Sequence, residues 1–220
     1  MDLLSFARGP ALRVAIGVFF VGVVWRILAI MLLRIRREHS RPRASLLRYV
    51  SVGLFVTASR SWPHPQFIKR TGAGEALGYS YHMGLFVVVL LFGPHVSFLC
   101  GLLGIHPWPV LPSSVITGIT VVTATLFVGV LYRRVTTPVM RMLSNFDDYF
   151  TWFITMLVIA TGLATSAHLG ARYETLLAIH VLSVDALLVW FPFGKLMHAF
   201  YIMPSRALNG AILARKGAST

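Results

Sequence analysis

A chain of 220 residues that is 56% hydrophobic and only 12% charged, with a mean hydropathy of +0.74, lacks the polar surface of a soluble domain and reads as one integral membrane domain. The net charge of +13 lies mainly between apolar runs, which points to lipid headgroups and membrane topology and not to nucleic acid. The lone cysteine, Cys100, excludes an internal disulfide and a cysteine-held iron–sulfur cluster, so any redox metal must rest on other residues.

The first apolar run, residues 14–33, is interrupted only by Arg26 and leads directly into Arg34, Arg36, Arg37, Arg41 and Arg43. A run of about 20 residues without a small-x-small cleavage site predicts a retained membrane span and not a signal peptide. The basic loop 34–78 follows, with His39 among its arginines. Its apolar patch at 50–56 is too short to cross a bilayer and predicts an interfacial helix, and Ser61-Trp62-Pro63-His64-Pro65 predicts a turn.

The second span, 79–104, carries His82 and His95, and the Pro- and Trp-rich turn 106–112, which begins with His106, closes it. The third, 114–132, has no ionisable residue and stops at Arg133-Arg134. Asp147-Asp148 marks a helix start for the fourth, 149–165. A turn holding His168 leads to the fifth span, 175–198, which carries His180, Asp185 and His198, breaks near Pro192 and passes into the basic tail 199–220.

The expected fold is therefore an all-α bundle of five transmembrane helices. Nine of the 20 lysines and arginines fall in 34–75, three in 133–149 and four from 195 onward, so the positive-inside rule places the N-terminus outside and the C-terminus in the cytoplasm. That is a multi-pass protein of the cytoplasmic (inner) membrane.

His180 and His198 stand 18 residues apart, five whole turns of an ideal helix, so both leave one face about 27 Å apart along its axis. The second span runs outward and the fifth inward, which pairs His82 with His198 on the inner side and His95 with His180 on the outer. A single membrane histidine is most often a hydrogen-bonded core residue; four at matching depths in two antiparallel spans fit two low-spin haem b irons stacked across the bilayer. In the second span the spacing is 13 residues, and Gly93-Pro94 stands where a kink would re-aim His95. Arg26 and Asp185 both fall near mid-depth, where a mutual ion pair or a haem propionate contact would satisfy them, while Lys195 lies near the inner boundary within reach of headgroups.

Phe191-Pro192-Phe193-Gly194-Lys195-Leu196-Met197-His198, with His180 eighteen residues earlier, resembles the last helix of the respiratory nitrate reductase gamma-subunit family, the dihaem cytochrome b anchors. Tyr81-His82-Met83-Gly84, Trp25-Arg26, Asp148-Tyr149 and Thr161-Gly162-Leu163 resemble motifs of its second, first and fourth helices. The resemblance implies two haem b groups, a quinone or quinol as diffusible substrate, and a cytoplasm-facing iron–sulfur or catalytic subunit as partner. Two positions depart from the family pattern: Phe92 stands where its outer second-helix histidine is usual, and Pro112-Ser113-Ser114 where a basic residue opens the third span. Similar subunits serve nitrate reductases, heterodisulfide-reductase-like complexes and sulfur-metabolism complexes, so the substrate stays unnamed. The alternatives are an intramembrane proton or ion carrier using Asp185, Arg26 and the histidines, or an inert anchor.

Overall fold

The computed structural model describes residues 2–33, 43, 45–63 and 65–217. The expectations for Arg34, Arg36, Arg37, His39, Arg41 and His64 lie outside the described residues. The described chain is helical, and five of its helices are long and apolar enough to cross a membrane. These are α1 (Leu3–Met31), α3 (Ile68–Leu91), α5 (Ser113–Thr136), α7 (Phe146–Ser166) and α8 (Tyr173–Trp190). Shorter helices intervene: α2 (Leu46–Ser59), α4 (Gly93–Leu103), α6 (Pro138–Leu143) and, after a 3₁₀ turn at Lys195–Met197, α9 (His198–Lys216).

The five long helices form a row in which α1 packs on α8, α8 on α7, α7 on α5, and α5 on α3. Close approach rests on missing side chains. A Cβ on Gly84 would stand 2.0 Å from Thr123 Oγ1, so the glycine lets α3 settle against α5, and a Cβ on Gly22 would overlap Pro192 where α1 meets the end of α8. Aromatic contacts extend the row inward, with Tyr81 edge-on to Phe127, which stacks on Trp152 of α7. Helix α3, by contrast, contains no buried residue along its 24 positions.

Three sequence expectations change here. The basic loop 34–78 contains helix α2 and the first turns of α3, which begins at Ile68 and not at Tyr79, because the polar stretch through Lys69, Arg70 and Glu75 extends the helix beyond its apolar part. The second span is two helices, since Pro94 has no N–H for the carbonyl of Leu90 and the chain turns extended at Phe92 (ψ 125°). His180 and His198 do not share one helix: α8 ends at Trp190, and His198 opens α9.

Helices α2 and α9 pack together more extensively than any other pair in the described chain. Gly53 and Gly210 make that fit: Cβ atoms there would lie 2.8 Å from the Ala207 carbonyl oxygen and 2.9 Å from that of Val52. The described part of the tail is thus largely the helix α9, clasped against α2. α7 begins as its acidic pair predicts, with Asn145 and Asp148 forming a reciprocal capping box.

A candidate pair of bis-histidine sites

His82 and His198 lie with ring centres 5.9 Å apart and planes at 83°; His95 and His180 lie 6.2 Å apart at 21°. Two imidazoles bound on opposite sides of one metal ion, with metal–nitrogen bonds of about 2.0–2.1 Å and about 1.1 Å from nitrogen to ring centre, would be roughly 6.2 Å apart. The second pair has that spacing, and the first, at 5.9 Å, is slightly closer. His82 comes from α3, His95 from α4, His180 from α8 and His198 from α9.

All four rings have Nδ1 engaged. His82 Nδ1 lies 2.8 Å from the Gly78 carbonyl oxygen and His198 Nδ1 2.7 Å from that of Lys195. His95 Nδ1 lies 3.0 Å from the Val88 carbonyl oxygen, and His180 Nδ1 3.1 Å from Thr161 Oγ1. A carbonyl can only accept, so His82, His198 and His95 each donate from Nδ1–H, which leaves Nε2 as the free lone pair. Metal-binding histidines are characteristically oriented in this way.

The break between α3 and α4 aims His95. Of the carbonyls it releases, that of Leu91 accepts from Leu111 N at 2.9 Å, that of Leu90 from the Trp108 indole at 2.5 Å, and that of Val88 from His95 itself. The Pro- and Trp-rich turn therefore folds back to satisfy broken backbone, whose polar groups would otherwise be left unpaired. His106 stays in that turn and offers its carbonyl to Cys100 Sγ. His168 lies in the loop before α8, stacked on Tyr173.

The sequence reading did not assign the supporting groups. Thr161 Oγ1 touches both His180 Nδ1 and Ser183 Oγ, the latter at 2.9 Å. A Cβ on Gly162 would meet His180 Cε1 at 3.1 Å, so this glycine is the hollow in which the ring lies. Thr161-Gly162 stood out in the sequence as a motif, and its role became visible only with α7 beside α8.

Around the first pair are two cavities of about 420 and 990 Å³, in the range common for cofactor sites, about 300–1,000 Å³. His198 and Arg26 line the smaller, His82, Arg60 and Arg206 the larger, and Ile202 both. Arg26 does not pair with Asp185. Gly22 meets Pro192, so Asp185 is level with about residue 15 of α1, and Arg26 lies some 16 Å further along, beyond side-chain reach. The Asp185 carboxylate is buried, and neither oxygen has a hydrogen-bond partner among the described residues.

Among the described residues no three His, Cys, Asp or Glu side chains converge on a point that could hold a bare metal ion. Each pair would supply two imidazole donors to a metal otherwise held by a macrocycle such as haem. No protein-family model matches the chain, and no solved structure matches it. It is similar over almost its whole length to a protein of Nitratidesulfovibrio vulgaris (strain Hildenborough), 25% identical over 228 residues covering 99% of this chain and 97% of the relative, whose name, "Protein", states no activity.

Proposed function

We propose that the chain is a dihaem b-type cytochrome, the membrane subunit that carries electrons between the quinone pool and a cytoplasm-facing iron–sulfur subunit of an oxidoreductase complex. The observation that carries this reading is the pairing of four histidines from distant segments at the spacing of trans ligands. His82 and His198 hold one haem, His95 and His180 the other. Haem b, when bound, supplies one-electron iron chemistry that no side chain offers. The end of the bundle bearing Arg60, Arg133, Arg134 and Arg206 is the cytoplasmic one by the positive-inside rule, and the α2–α9 pair standing there is the surface for the redox partner. Low salt strengthens that contact and high salt weakens it.

The test is the visible spectrum and haem content of the purified chain. Two haems per chain, reducible through a quinol, are expected. A haem-free protein that moves protons across vesicles would overturn this reading in favour of a carrier built on Asp185, and one that is haem-free and inert would leave an anchor.

A further inference from the structure

The segment that presents His198 is held by a polar cluster the haem assignment does not itself require. Gly194 is extended and Lys195 opens a 3₁₀ turn, whose first carbonyl, that of Lys195, accepts from both the backbone N–H and the Nδ1–H of His198. Three contacts hold Lys195 directly or through Asp148. The Lys195 N–H donates to Asp147 Oδ1 at 3.2 Å, the Lys195 ammonium pairs with Asp148 Oδ2, and Asp148 Oδ1 pairs with Arg134 of α5 at 2.8 Å. Asp147 Oδ1 also accepts from Thr151, whose hydroxyl receives the Trp190 indole N–H at 2.9 Å. The Asp148 side chain is 5% exposed, so its two cationic partners satisfy a charge that water does not reach. Gly194 fits because a Cβ there would lie 2.4 Å from Trp190 Nε1 and 3.0 Å from Asp147 Oδ1.

We propose that Lys195 is a positioning residue for His198, the histidine that would hold the haem with His82, gripped by Asp147 and Asp148 at the head of α7 and by Arg134 through Asp148. Lys195 acts through both ends: its ammonium locks the turn to α7, and its carbonyl thereby fixes the rotation of the His198 ring and the strength of its Nδ1 hydrogen bond. Such partners set the orientation and basicity of a metal-bound imidazole. This proposal rests on the haem reading above.

The experiment compares Lys195→Met, Asp148→Asn and Lys195→Arg in the purified haem-loaded chain by low-temperature EPR and redox titration, with the haem on His95/His180 as an internal control of folding. The g tensor of a low-spin ferric haem reports the relative orientation of its two imidazole planes. Positioning predicts that Lys195→Met and Asp148→Asn both change or broaden the signal of the His82/His198 haem. Their reduction equilibrium should shift at least tenfold, about 59 mV for one electron. The other haem stays unmoved, and Lys195→Arg restores the native signal. A simple field effect would instead lower the potential when the lysine charge is lost, raise it when the aspartate charge is lost, and leave the g tensor unchanged; that result, or equal shifts at both haems, overturns the proposal. Should Lys195→Met lose both haems, Asp147→Ala, which keeps the lysine and removes the acceptor of its N–H, decides by the same signals. A wild-type chain without haem would overturn the haem reading itself, whereas full haem content with unmoved signals overturns only the role of Lys195.

Discussion

The two histidine pairs are built by different devices. At the basic end, each imidazole is tied to a carbonyl within its own neighbourhood, Gly78 four residues before His82 and Lys195 three before His198, and the rings stand nearly perpendicular. At the opposite end the ties depend on tertiary structure: a carbonyl seven residues back is reached only because the helix breaks, a threonine comes from the neighbouring helix, and the rings are nearly parallel. The ring ties of one pair are therefore local, although its rings meet only once α3 and α9 have come together; in the other pair the ties themselves need the break before α4 and the packing of α7 on α8. Local ties leave the basic-end pair sensitive to its turn, and tertiary ties leave the opposite pair sensitive to its packing.

Removing ligands gives the largest expected effect. His82→Ala or His198→Ala should reduce haem content from two per chain to one, and the remaining haem should carry the His95/His180 signature. His95→Ala should also leave one haem, whereas His106→Ala should keep both; the reverse result would transfer the ligand role to the turn. The next effect concerns the groups behind the rings. Thr161→Val, which removes the partner of His180 Nδ1, and Gly162→Val, whose side chain would fill the hollow beside the ring, should each weaken haem binding at that end by roughly 10–100-fold, with the basic-end haem unaffected in a haem titration.

A smaller effect is expected from packing remote from either pair. Gly210→Val brings a side chain against the Val52 carbonyl oxygen, which backbone cannot easily yield, and should destabilise the α2–α9 contact by about 1–3 kcal/mol in thermal unfolding without changing haem content. The mildest measurement needs no mutation. The near-perpendicular rings of His82/His198 should give a more strongly anisotropic low-spin EPR signal than the near-parallel rings of His95/His180, and two identical signals would remove the contrast drawn above.

Hydropathy made the five long helices legible, because membrane spans are written in composition and length. It placed their ends less well: Lys69, Arg70 and Glu75 hid the first turns of α3, and Leu3 to Phe6 joined α1 across a π-helical turn around Pro10. The four histidines could be paired from chain direction alone. How His95 reaches its partner could not, since that depends on where the carbonyls of Val88, Leu90 and Leu91 go once Phe92 turns extended. The expected Arg26–Asp185 pair failed because hydropathy assigns depth only coarsely, whereas the Gly22–Pro192 contact fixes it. The α2–α9 pairing had no sequence signal, as its two glycines are 157 positions apart and each is unremarkable alone.

That separation has a consequence in time. Helix α2 leaves the ribosome more than a hundred residues before α9, and at about 5–20 residues per second its glycine face waits on the order of 10 s for the chain that covers it. Until then Val56, 2% exposed in the finished fold, has no cover from α9. The surface proposed for the redox partner is complete only when α9 is made, so attachment of such a partner would follow synthesis of α9, and a chain stalled before residue 198 would carry the five long helices with no finished place for it to land.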